Sequence, residues 1–139
     1  MRNPHADTNL MAHAIWATKH RAPLLLAEHD HVLRRLFVEG LHAFDVEILA
    51  FGASIDHVHV LVRFPASAAL CDVIKAMKGS SSRRWNQQPP SGAPSLRWQD
   101  GYWARSVSPD DFGAVQRYVL RQREHHATSC PVEPWMRAP

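Results

Sequence analysis

The stretch Ile55-Asp56-His57-Val58-His59-Val60-Leu61-Val62 constrains this chain more than any other, because its apolar and polar residues alternate as only an extended strand can use them. Successive side chains on a strand point to opposite faces, so Val58, Val60, Val62 and Phe64 share one side and His57, His59, Leu61 and Arg63 the other. The first set is a core face. A purely structural strand has no packing reason to carry two ionisable rings on its second face. Two imidazoles at i and i+2 stand roughly 6.5–7 Å apart at the backbone, and converging side chains can bring one nitrogen from each onto a single ion. The pair therefore reads as part of a divalent-metal site that still lacks a third ligand. With ten histidines in the chain, a chance neighbourhood is the competing explanation, and spacing alone does not separate the two.

At 139 residues and 45% hydrophobic content the chain is expected to form one domain with a real core, covering about residues 10–128 with short ends. Cys71 and Cys130 sit in no ligand-like spacing and no secretory leader precedes them, so a reduced cytoplasmic protein is the expectation. No apolar run approaches the roughly 18–20 residues that a membrane span requires, which implies a soluble protein. The net charge of +3 is mild, but its distribution is not. Between Asp72 and Asp100 lie Lys75, Lys78, Arg83, Arg84 and Arg97 without one carboxylate, interleaved with Trp85 and Trp98. Cations neutralise phosphates and aromatic faces stack on unpaired bases, so this window is a candidate track for single-stranded nucleic acid. An ordinary solvated basic face explains the same charges equally well.

Periodicity supplies the remaining elements. Residues 10–18 alternate weakly and predict a first strand with Trp16 turned inward. From about 28 to 44, Val32, Leu33, Leu36, Phe37, Gly40, Leu41 and Phe44 recur at three and four, the stripe of a helix packed on a sheet. Residues 46–53 predict a second strand, joined by a short link to the histidine strand in an antiparallel hairpin. Ser67 is a candidate cap for a second helix with the stripe Leu70, Val73, Ile74 and Met77, and Gly79-Ser80-Ser81-Ser82 either interrupts that helix or loosens it. Asp100-Gly101 favours a turn before a fourth strand over 102–107. A last helix is marked by Ser108 as cap, Pro109 at the first helical position and Asp110 and Asp111 in the first turn, running to about His126. On it Tyr118 and Gln122 stand four apart on one face, beside Val115 and Val119. By itself the tyrosine reads as an amphipathic anchor at the core edge. The order is βαββαβ with a C-terminal helix, an α+β ferredoxin-like plan on an antiparallel sheet.

Several segments, in order, resemble the HUH single-strand transposases with one catalytic tyrosine, a family that includes insertion-sequence and REP-associated tyrosine transposases. They are Ala17-Thr18-Lys19-His20-Arg21-Ala22-Pro23-Leu24, Asp56 through Val62, Lys78-Gly79-Ser80-Ser81-Ser82, Trp98-Gln99-Asp100-Gly101-Tyr102, and Tyr118 with Gln122 and His125-His126. The resemblance spans about residues 12–126. It implies that His57, His59 and Gln122 bind the metal and that Tyr118 is the nucleophile of a metal-dependent DNA transposase, cleaving and rejoining single-stranded DNA through a 5′-phosphotyrosine. It further implies a homodimer acting on hairpin element ends in a bacterial nucleoid, and Mg2+ or Mn2+ as the cofactor. Two imidazoles and an amide would by softness alone suit zinc or a later transition metal. Trp103-Ala104-Arg105 departs from the smaller or apolar residues common in relatives, which bears on substrate preference rather than on chemistry. Two alternatives compete: an inactive single-stranded DNA or hairpin binder, against which the presence of Tyr118 and both histidines argues, and a metal-dependent hydrolase using Asp56 as general base.

Overall fold

The computed structural model describes residues 6–127, and the side chains of residues 6–124. The side chains of His125 and His126, and Cys130, therefore lie outside the described residues. The chain runs through strand β1 (Leu10–Ala17), helix α1 (Asp30–Gly40), β2 (Glu47–Ala53), β3 (His57–Phe64), α2 (Leu70–Gln87), β4 (Trp103–Val107), α3 (Phe112–Leu120) and α4 (Gln122–Ala127). The four strands form one sheet in the order β2-β3-β1-β4 with every neighbouring pair antiparallel. Each crossover helix skips one strand, the arrangement of the expected ferredoxin-like plan. Among the described residues no helix is long and apolar enough to cross a membrane.

The two faces of the sheet are used differently, as the alternation in β3 requires. On one face Val58, Val60 and Val62 join Ala14 and Trp16 of β1 in a large core, closed by Leu33, Leu36 and Phe37 of α1 and Val73, Ile74, Met77 and Trp85 of α2. On the other, a smaller cluster of Met11, Ala50, Leu61, Val107 and Val119 lies under α3. His57 and His59 belong to this second face, so α3 and not the main helical layer covers them.

Two local expectations change and one open choice is resolved. Ser67 does not cap α2, which starts at Leu70 after Ala69 with no side-chain cap. Gly79-Ser80-Ser81-Ser82 does not interrupt α2 either, because its small side chains let α1 approach. A Cβ on Gly40 would lie 2.9 Å from that of Ser80, and Ser81 is wholly buried. The hydroxyls of Ser81 and Ser82 both donate to the carbonyl of Lys78, which keeps them within the helix. The C-terminal helix starts later than expected and is broken. Residues 108–111 form a turn in which the Ser108 hydroxyl accepts from the Asp111 amide at 3.3 Å. At the other end the Tyr118 carbonyl, which a continuous helix would give to the backbone N–H of Gln122, accepts the Arg121 amide and the Gln122 side-chain Nε2 at 2.8 Å instead. Arg123 then ties α4 to the start of α1 through a two-pronged bond to Asp30.

Candidate active site

His57 and His59 stand on β3 at 1% and 0% exposure, with ring centroids 5.2 Å apart. Each ring is held through Nδ1 by another side chain, 2.8 Å from Asp56 Oδ1 for His57 and 2.9 Å from His13 Nε2 for His59. Asp56 is held in turn by Arg21, whose Nε and terminal nitrogen lie 3.1 and 3.0 Å from Oδ2. Burial by itself would push the Asp56 carboxyl up, but the hydrogen bond from His57 and the charge of Arg21 outweigh it and hold the group below its ordinary value. Arg21 reaches this position from an unusual backbone. It and His20 both adopt left-handed conformations, at φ 56° and 58°, which cost about 1–2 kcal/mol for each L-residue. The loop is pinned by Thr18, whose hydroxyl bonds the carbonyls of Ala22 and Asp56.

Neither Asp56 nor His13 was assigned this place from sequence, where Asp56 is given a role only as the general base of the hydrolase alternative. With one oxygen on His57 and the other on Arg21, it is not aimed as a general base, and the hydrolase reading loses its candidate. The signal for His13 was present in its spacing, since it alternates onto the same face of β1 as Met11 and Ile15. The register that places Ile15 opposite His59 and His13 opposite Leu61 can be read only from the paired strands.

Helix α3 brings Tyr118 over His59 and His13. Its half-buried ring packs edge-on to His59 at 5.6 Å and to His13 at 6.1 Å between centroids. Gln122 follows at 0% exposure, its Nε2 donated to the Tyr118 carbonyl, which commits the amide nitrogen and makes Oε1 the atom a cation could use. Two features of β2 seat the helix. The pairing shifts register between Ile48 and Ala50, and the Leu49 carbonyl inside that irregularity accepts from Gln116 Nε2. Gly52, opposite His59, has no Cβ, and one built there would lie 1.8 Å from the Val119 carbonyl oxygen and 2.9 Å from Gln122 Cγ. The expected four residues, His57, His59, Tyr118 and Gln122, are thus brought to one region by the contact of α3 and the first residue of α4 with β2 and β3.

Among the described residues, no three His, Cys, Asp or Glu side chains converge as a metal cluster. A cation on the histidine pair would need a different third donor, and the buried Gln122 carboxamide has the right chemistry. A donor set of two Nε2 atoms and an amide oxygen, with both Nδ1 atoms engaged, fits a divalent ion.

The basic window divides. Trp85 is a correction: at 1% exposure, with its indole N–H bonded to the Pro94 carbonyl, it is core and cannot stack on a base. Trp98 is half-buried against Trp16 and Phe37 and donates to Ser81 Oγ, so it is chiefly structural as well. Arg84 pairs with Glu39 of α1 at 2.8 Å. Lys78 donates to the carbonyls of Gln99 and Gly101, and burial, partly opposed by the charge of Asp100, lowers its pKa. Lys75, Arg83 and Arg97 remain exposed. Arg83, Arg97 and Lys78 line an open cleft of about 370 Å³ with Asn86 and Trp98. Residues 97–99 bond to Ala17 and Lys19 beside the start of β3, so this cleft lies at the His57 end of the sheet.

Residues 6–122 match the protein family described as Transposase IS200 like. ISDra2 transposase TnpA of Deinococcus radiodurans is 28% identical over 116 residues, covering 81% of this chain and 83% of the relative. A candidate transposase from the same organism, solved by crystallography, superposes with a TM-score of 0.67 at 26% identity, over 88% of this chain and 98% of that one. A REP-associated tyrosine transposase bound to a REP hairpin also gives 0.67, over 91% and 73%, and at 14% identity that likeness is one of fold.

Proposed function

The chain belongs to the IS200-like transposase family, and from that premise we propose that it cleaves and rejoins single-stranded DNA through a covalent bond between Tyr118 and a 5′-phosphate. The observation that carries this reading is the Tyr118 ring packed 5.6 Å from that of His59, with the buried Gln122 one turn later. A phenol with an ordinary pKa near 10 is a weak nucleophile at neutral pH and requires a polarised, well-aligned phosphate. His57 Nε2, His59 Nε2 and Gln122 Oε1 are proposed to hold Mg2+ or Mn2+, which when bound polarises the scissile phosphate and stabilises the departing oxygen.

In the proposed reaction the Tyr118 oxygen bonds to phosphorus as the bond from phosphorus to the 3′-oxygen breaks. The phenol gives up its proton and the 3′-oxygen gains one. Rejoining is the reverse displacement, in which a 3′-hydroxyl attacks the phosphotyrosine and releases Tyr118. One phosphodiester replaces another, so no external energy source is needed. The packing of Tyr118 against His13 and His59 limits the side chain's freedom before substrate binds, which lowers the entropy cost of reaching an in-line geometry.

Single-stranded or hairpin DNA is the proposed partner, held in part by Lys75, Arg83 and Arg97. The fold relative bound to a REP hairpin supports the hairpin form, and a homodimer belongs to the same proposal. Replacing Arg83 and Arg97 together with alanine should flatten the dependence of log affinity on log salt by about one to two units without unfolding the chain. Fluorescence titrations at several salt concentrations measure this. An unchanged slope, or equal affinity for plain duplex, contradicts the single-strand track.

His57→Ala and His59→Ala should each lower divalent-dependent cleavage by roughly two orders of magnitude or more, the equivalent of a few kcal/mol of transition-state stabilisation. Gel assays of a labelled oligonucleotide with Mn2+ or excess chelator test this. Undiminished cleavage in chelator removes the metal from the account.

A further inference from the structure

We propose that His13 is a positioning residue that fixes the tautomer of His59 by accepting its Nδ1 proton, so that His59 Nε2 keeps its lone pair for a cation. The inference rests on the metal reading above and adds a residue to it. The His13 ring is 8% exposed and lies nearly parallel to that of His59, at 25° and 5.2 Å between centroids, with Nε2 2.9 Å from His59 Nδ1. A hydrogen bond between two neutral imidazole nitrogens carries one proton, on one side or the other. With the proton on His13, His59 must accept at Nδ1 and carry its own proton on Nε2, which cannot then ligate. With the proton on His59 Nδ1, Nε2 is bare.

The neighbouring histidine shows the same selection made by a different group. An ionised carboxylate only accepts, so Asp56 Oδ1 at 2.8 Å requires the proton on His57 Nδ1 and leaves Nε2 as the ligating atom. The two ligands are thus oriented by unlike acceptors, a carboxylate for one and an imidazole for the other. The His13 ring also meets Trp103 edge-on at 5.2 Å and Tyr118 at 6.1 Å. Through these contacts it borders both the candidate nucleophile and the candidate ligand, which also touch each other, and its orientation is set by strand β4 as well as by α3.

The test uses the full chain labelled with 15N-histidine, above pH 7.5 and without metal. Two-bond 15N–1H spectra report the tautomer of each ring, and the His59 signals are identified by their loss in His59→Asn. The wild-type chain should show His59 protonated at Nδ1 and bare at Nε2. His13→Gln, whose carbonyl oxygen can accept the same proton, should keep that tautomer. His13→Phe should release His59 to the Nε2–H form that free histidine favours. Mn2+ affinity, followed by electron paramagnetic resonance of the free ion, should fall about 10- to 100-fold in His13→Phe and stay within a few-fold in His13→Gln. A wild-type His59 protonated at Nε2 overturns the proposal whether or not the phenylalanine variant folds. So does a folded His13→Phe variant with an unchanged tautomer and unchanged Mn2+ affinity. A wild-type chain that shows the expected tautomer but binds no Mn2+ would refute the metal site while sustaining the role of His13 in setting the ring.

Discussion

Tyr118→Phe should abolish covalent attachment to single-stranded DNA while leaving DNA affinity within about twofold. The substitution removes one oxygen from a half-buried ring and keeps the packing against His13 and His59. Because the ring and its packing stay in place, no core cavity opens, and loss of activity would not reflect unfolding. Chemistry depends on the missing atom completely, because no phosphotyrosine can form without it. Denaturing gels of the variant with a labelled oligonucleotide show the outcome directly. An adduct that persists in Tyr118→Phe would place the nucleophile elsewhere.

A second large effect is expected from a residue with no chemistry of its own. Gly52→Ala puts a methyl group 1.8 Å from the Val119 carbonyl oxygen, where ordinary C···O contacts are about 3.3–3.6 Å. The obstructing atom is helix backbone, so it cannot rotate aside. Helix α3 must lift from β2 by on the order of 1.5 Å, carrying Tyr118 away from His59 and displacing Gln122, whose Cγ would also lie 2.9 Å from the new methyl group. We expect cleavage to fall roughly 100-fold, the usual result of a displacement of about 1 Å at a reacting group. Stability should fall by about 1–3 kcal/mol. Affinity for single-stranded DNA, which we propose rests in part on Lys75, Arg83 and Arg97, should hardly change. Single-turnover cleavage and thermal unfolding measure the two losses separately. Full activity in Gly52→Ala would mean that the working tyrosine helix is not seated on β2 of its own chain.

Much of this was legible in the sequence because it follows from period. The two faces of β3 were assigned from alternation, and the spacing of Tyr118 and Gln122 put them near one another even though a break at Arg121 leaves one on α3 and the other at the start of α4. Residues that act through partners distant in sequence were not legible. His13 meets His59 across 46 positions of chain, and Arg21 meets Asp56 across 35. Composition misled for Trp85, since a tryptophan among cations looks the same whether its indole faces a base or the Pro94 carbonyl. Propensity misled at the end of the last helix. Nothing in Arg121 itself signals a break, and the bond that the Tyr118 carbonyl accepts there, from the Gln122 side chain, is visible only in the fold.

The nucleophile can be identified without any substitution, because the chain has only two tyrosines, Tyr102 and Tyr118. Tyr102 is 46% exposed just before β4, whereas the Tyr118 ring packs on His59 and His13. Tryptic cleavage separates them into peptides 98–105 and 118–121. The wild-type chain would be incubated with Mn2+ and a single-stranded substrate whose 5′ fragment, released with a 3′-hydroxyl, diffuses away, then digested with trypsin and nuclease and analysed by mass spectrometry. The account predicts a residual nucleoside phosphate on peptide 118–121, formed only when the divalent ion is present. The same mass on peptide 98–105, or an adduct on no tyrosine at all, would contradict it.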